Sequence, residues 1–221
     1  MDFKHINFEA VLFDMDGVLV NSEPFYTEVE QQIFRMVGLN ISPGEHVTYQ
    51  GTATDRMWNI LKPKYNLPHT VEELVRMNNE KVIPYFLSME TISPMPGVRK
   101  LIQHYQDNNI PFALASSSTP DVIRIVLEKT GLQKYFGVVV DSQMAGSSKP
   151  DPDIFLLAAK KLGIAPQKCL VIEDSTNGIK AAKLAGMSCI AYAGPGSEHQ
   201  NQSEADFVIS DFNELIGPGV F

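Results

Sequence analysis

Asp14 and Asp16 end the apolar run in "FEAVLFDMDGVLV" (8–20), with Met15 between them and Gly17 directly after. In an extended strand the side chains alternate, so the two carboxylates share a face and Met15 points away. Alone, that spacing has two readings. Asp followed by Gly is good turn chemistry, whereas a same-face carboxylate pair beside a glycine that admits close backbone approach could hold a ligand. Other polar groups end other apolar runs: Ser116, Ser117 and Ser118 after "FALA", and Glu173 with Asp174 after "CLVI". Lys149 stands in "SSKPDPDIF", before two prolines that stiffen its backbone.

Clustered carboxylate oxygens are what a hard cation requires. Mg²⁺ takes one or two of them and leaves other positions to water and phosphate. For a phosphate ester the metal becomes close to obligatory, since each carboxylate–phosphate pair at about 4 Å repels by roughly 4 kcal/mol at an effective dielectric near 20. Lys149 offsets one such repulsion.

The elements that must position these groups are short and apolar. Runs at 10–14, 110–117, 137–141, 169–174, 188–193 and 206–210 are nearly continuous in hydrophobicity, as expected of strands covered on both faces of a parallel sheet. Amphipathic stretches at 119–131, 151–163 and 175–186 alternate with them and end in glycine. This pattern predicts a doubly wound, mostly parallel α/β core of Rossmann-like type, in which strand carboxyl ends converge on one crevice. About 95 residues separate the first two strands, far beyond the ~10–12 of a crossover. The excess carries helical patterns at 23–38, 54–65 and 70–89, and Pro94, Pro96 and Gly97 mark the return. The expected organisation is a core of residues 1–19 and 93–221 with a helical cap at 20–92.

Composition bounds the rest. With 221 residues, 44% of them hydrophobic and 20% charged, the chain can bury a real core. A net charge of −8 disfavours nucleic acid and anionic membranes as partners, but not a small anion that feels its local site. "MDFKHINF" lacks an apolar stretch of signal-peptide length, and no run approaches the ~18 residues of a membrane span. A cytoplasmic monomer is expected, with Cys169 and Cys189 as buried thiols rather than a disulfide.

"DMDGVLVNS", "LASSS", "SKPDPDIF" and "VIEDSTNGIKAA" resemble the four motifs of the haloacid dehalogenase superfamily. Their order, with helices inserted after the first, is similar to the β-phosphoglucomutase-like branch of phosphatases and phosphomutases. The resemblance spans essentially the whole chain. It implies Asp14 as the nucleophile that forms an aspartyl-phosphate and Asp16 as general acid–base. Ser116, with Ser117 and the backbone after it, would bind the transferring phosphoryl group, and Lys149 would balance its charge. Asp14, the carbonyl of Asp16 and Asp174 would hold Mg²⁺, with Glu173 either a ligand or a support for the ligands. Gly17 would let the backbone approach the phosphate.

The cap would supply specificity towards a small phosphorylated metabolite. Candidates there are Glu23, Phe25, Tyr26, Gly51 and Arg56. Trp58 reads as cap core, and His46 and His69 fall in polar loops with no assigned role. Two departures bear on the reaction. The sugar phosphomutases of this branch carry a histidine where this chain has Tyr26, and an arginine near the position of Thr54. Both favour a Mg²⁺-dependent phosphatase acting on a sugar, polyol or related phosphate over a hexose-phosphate mutase. A non-enzymatic phospho-aspartate receiver is the remote alternative, and the D-x-D spacing and helical insert oppose it.

Overall fold

A computed structural model describes residues 6–216 of the protein, so the ends of the expected core, 1–5 and 217–221, lie outside the described residues. In chain order the structure runs β1 (Ala10–Phe13), α1 (Glu23–Met36), α2 (Pro43–His46), α3 (Thr54–Tyr65), α4 (Val71–Ser88) and α5 (Val98–Asp107). It continues with β2 (Phe112–Ser116), α6 (Pro120–Thr130), β3 (Val139–Asp141), α7 (Ser142–Ala145) and α8 (Asp153–Leu162). β4 (Cys169–Glu173), α9 (Thr176–Leu184), β5 (Ser188–Tyr192) and β6 (Phe207–Ile209) complete it.

The six strands form one all-parallel sheet in the order β3-β2-β1-β4-β5-β6. Each of the six apolar runs supplies one strand, and helices flank the sheet: the doubly wound α/β fold that the alternation predicts. β1 lies between β2 and β4, where strand order reverses and the crevice of such a sheet opens. The alternation within β1 divides the core. Val11 and Phe13 join one apolar cluster with Leu101, Ile102 and Tyr105 of α5, while Ala10 and Leu12 join another with Phe155 and Ala158 of α8. The second cluster is rich in alanine (Ala113, Ala115, Ala181, Ala182), which lets α8 and α9 approach the sheet closely.

Helix α5 corrects the sequence reading, which left 98–109 as the run from the glycine to the second strand. Val98, Leu101, Ile102 and Tyr105 are fully buried at helical spacing, so the amphipathic signal was present. His46 is a second correction. It closes α2 rather than lying in a polar loop, and it is buried, with Nε2 2.6 Å from Glu30 Oε2 and its ring against Phe34.

Helices α1 to α4 stand between β1 and α5. Trp58 is wholly buried among them, edge-on to Phe34. The chain leaves and re-enters the core side by side: Val20 bridges Pro94, and the Met95 N–H donates to the Leu19 carbonyl at 2.8 Å. No helix among the described residues is long and apolar enough to cross a membrane. Cys169 and Cys189 are both free and buried.

Candidate active site

The carboxyl ends of β1, β2 and β4 meet around one ammonium. Register places Phe13 beside Leu114 and Ile172, so the next residues, Asp14, Ala115 and Glu173, fall level across three strands. Lys149 enters this row ahead of α8. Its Nζ donates to Asp14 Oδ1 at 2.5 Å, Glu173 Oε1 at 2.8 Å and the Ala115 carbonyl at 3.1 Å. Lys149, Asp14 and Glu173 are all buried. Burial alone would depress the Lys149 ammonium, but the charges of Asp14 and Glu173 outweigh it and hold the group protonated. Desolvation works the other way on Asp14. Together with the charges of Glu173 and Asp16 it exceeds the pull of Lys149 and pushes the carboxyl up to about 8.

Asp16 has a different environment on the same face of the chain. Its carboxylate accepts from Ser22 Oγ at 2.6 Å, Ser118 Oγ at 2.7 Å and Ser116 Oγ at 3.3 Å. Burial raises its pKa, opposed by these hydroxyls and by Lys149. Ser22 occupies the N-cap of α1, yet its side chain makes no cap bond because the hydroxyl is turned to Asp16. Tyr26, one turn into α1, bonds Ser118 Oγ at 2.8 Å, so the relay from Asp16 through Ser118 ends on the helical insert. Burial, then the charge of Asp16, keeps the Tyr26 phenol neutral.

The donor set fits a divalent cation. Asp14, Glu173 and Asp174 each offer an oxygen within 4.8 Å of the others. Glu173 is engaged at both oxygens: Oε1 accepts from Lys149, and Oε2 from the N–H groups of Asp174 and Ser175 and from Ser175 Oγ. Asp14 and Asp174 are the less engaged pair, and two carboxylates is the number Mg²⁺ ordinarily takes from a protein. Four carboxylates face one ammonium here. Desolvation, then Glu173 and Asp14, pushes Asp174 well above its usual range, the imbalance that a bound divalent ion relieves.

Two glycines make room for this chemistry. Gly17 has φ +79°, and a Cβ there would fall 2.1 Å from Asp174 Oδ2. A Cβ on Gly178 of α9 would fall 1.6 Å from Glu173 Oε1. Gly178→Ala must therefore displace the carboxylate that holds Lys149. We expect it to destabilise the fold by about 1–3 kcal/mol, the usual scale of overpacking, and to lower activity. Denaturant unfolding checks the first effect, and unchanged stability would remove Glu173 as a packed support.

A cleft of about 350 Å³ opens from these groups towards the insert, lined by Asp14, Asp16, Ser117, Ser118, Lys149 and Asp174 on the core side. Ser117 Oγ is buried there without a hydrogen-bond partner, whereas Ser116 Oγ is turned to Asp16. On the insert side Glu23 and Gly51 line it. Burial, with the charges of Glu30 and Asp16, pushes Glu23 up to about 8. Arg56 does not line the cleft. It donates through Nε to Ser148 Oγ at 3.1 Å and pairs with Asp151 at the rim. Phe25 packs on Phe86 beside the cleft, with ring centroids 5.7 Å apart.

Ser22 and Ser118 were not singled out as site residues from sequence. The hydroxyl runs "NSEP" and "SSS" hinted at them, but only the fold shows that both converge on Asp16.

The sequence matches the haloacid dehalogenase-like hydrolases over residues 8–186. It is 33% identical over 182 residues to the phosphorylated carbohydrates phosphatase of Thermotoga maritima, covering 82% of this chain and 83% of that protein. Hexitol phosphatase B of Escherichia coli (strain K12) is 33% identical over 215 residues, with 93% of each chain covered. Among solved structures, the β-phosphoglucomutase of Clostridium difficile superimposes with a TM-score of 0.82 at 28% identity, over 95% of this chain and 93% of that one. Matches of this extent, on a sheet that gathers all four motifs at one end, establish the family: the chain belongs to the haloacid dehalogenase-like hydrolases.

Proposed function

We propose that the protein is a Mg²⁺-dependent phosphatase that hydrolyses a small phosphorylated sugar, polyol or related metabolite through an aspartyl-phosphate. The observation that carries this reading is the pair of unlike carboxyls at the end of β1. Asp14 is held by Lys149, while Asp16, two residues on, is held by three hydroxyls. The similarity to a phosphorylated carbohydrates phosphatase and a hexitol phosphatase supports the substrate class.

In the first step an Asp14 carboxylate oxygen attacks phosphorus, and the bond from phosphorus to the ester oxygen breaks. Asp16 gives its proton to the departing alkoxide. Lys149 and the buried Ser117 hydroxyl hold the phosphoryl oxygens in place. In the second step Asp16 takes a proton from the attacking water, and the acyl phosphate opens to inorganic phosphate and free Asp14. Asp14, Asp174 and the backbone carbonyl of Asp16 would hold Mg²⁺, which when bound neutralises charge on the phosphoryl oxygens. Residues 20–92 act as the cap that closes over the substrate and excludes water.

The test is phosphate release from a panel of hexose, pentose and polyol phosphates, with product sugars measured alongside. EDTA should silence release and Mg²⁺ restore it, and full activity in chelator would sink the metal assignment. Isomerised sugar phosphate without net release, on addition of a bisphosphate, would mark a mutase instead.

A further inference from the structure

At its insert end the cleft is built for something other than a phosphate. Helix α4 turns Val75, Asn78, Asn79 and Val82 towards it, spacings that put them on one face. Asn78 is 1% exposed, and its Oδ1 has no hydrogen-bond partner. A buried orphan acceptor on an apolar helix face is unfavourable unless a ligand donor completes it. Across from it, α1 contributes Glu23 and Glu30 to the same lining. Glu30 Oε2 accepts from His46 Nε2 at 2.6 Å, while Oε1 accepts no hydrogen bond among the described residues. Lys149, at the catalytic end, is the one lysine or arginine in the lining, and Arg56, outside it, is committed to Asp151 and Ser148.

We propose that Glu23, Glu30 and Asn78 form a subsite for the distal hydroxyls of an uncharged, hydroxyl-rich tail, and that the enzyme therefore selects monophosphates of polyols and sugars and rejects bisphosphates. This rests on the phosphatase reading and sharpens it. Asn78 Oδ1 and Glu30 match O–H donors on the tail, and the Glu23 carboxyl beside them adds a further hydrogen-bonding group in the same low-dielectric pocket. Thr52, also in the lining, supplies a hydroxyl that can serve as a donor in return. A second phosphate would face Glu30, Glu23 and an amide oxygen in a buried pocket, with no cation at that end to meet it.

The experiment measures phosphate release by the full chain with Mg²⁺ from four esters: a hexitol phosphate, hexyl phosphate without hydroxyls, a hexose bisphosphate, and an ammonium-bearing alkyl phosphate. We expect kcat/KM for the hexitol ester to exceed that for hexyl phosphate at least about 100-fold, because a site built for hydroxyls rejects an analogue lacking them. It should exceed that for the bisphosphate at least about tenfold. Asn78→Leu and Glu30→Gln should each shrink the hexitol-to-hexyl ratio about tenfold, the scale of one buried hydrogen bond. The ratio separates tail recognition from a general loss of structure. Glu30→Gln also provides the answer if the buried Asn78 variant does not fold. A ratio unmoved by substitution, a bisphosphate turned over as fast as the monophosphate, or preference for the ammonium ester would overturn the subsite and leave the phosphatase reading standing. No release from any ester would overturn that reading, and the subsite with it.

Discussion

Asp14→Asn should turn over substrate at least about 10⁴-fold more slowly than the parent, since loss of an activated nucleophile removes the covalent route altogether. The substitution is nearly isosteric. The amide oxygen can still accept from Lys149, which keeps Glu173 at 2.8 Å and the Ala115 carbonyl at 3.1 Å. The variant should therefore fold, with unfolding midpoints close to the parent's and no phosphoenzyme on acid quench. Retained turnover would remove Asp14 as nucleophile. A variant that is inactive because it has unfolded would show itself in the melting curve.

Asp16→Asn should lower kcat by about 10²–10⁴-fold, the range of general acid–base catalysis, with a signature that Asp14→Asn lacks. The amide oxygen can still accept from one of Ser22 and Ser118 while its NH₂ donates to the other's hydroxyl oxygen, so the local geometry survives, but it cannot deliver a proton to the leaving group. Esters of acidic alcohols need no such proton. A nitrophenyl phosphate should lose far less in the first step than a sugar phosphate does. Water activation in the second step should remain slow for both, so phosphorylated Asp14 should accumulate with the nitrophenyl ester. Equal losses for good and poor leaving groups, without a trapped phosphoenzyme, would assign Asp16 to positioning alone.

What the sequence made legible follows from the range of the interactions involved. The six strands are local signals, runs of apolar residues such as "CLVIED", and each became a strand of the sheet. The gathering of Asp14, Ser116, Lys149 and Asp174 at one sheet end is a property of parallel order, so it too was readable once the strands were placed. The caging of Asp16 was not, because Ser118 lies 102 residues away and turns towards it only in the folded sheet. Nor was the state of Glu173 readable. Whether that carboxylate meets a metal or an ammonium depends on the backbone turn after β4 and on the space left by Gly178. Helix α5 was missed for a different reason. Two prolines and a glycine drew attention to the boundary and away from the periodicity that begins immediately after them.

The order of strands in the sheet also bears on how the chain is made. β1 leaves the ribosome first, yet its neighbours are β2 and β4, whose pairing residues begin at Phe112 and Cys169. The strand that ends in Asp14 must wait, apolar and without its second neighbour, until residue 169 and those after it are made, which is the slow and aggregation-exposed kind of contact. Helices α1, α3 and α4 contact one another in the meantime, over short separations in sequence. Nascent chains arrested before β4 emerges should thus resist protease within 23–88 while β1 is still cut. Protection of β1 at that length would mean that it docks before its second neighbour exists.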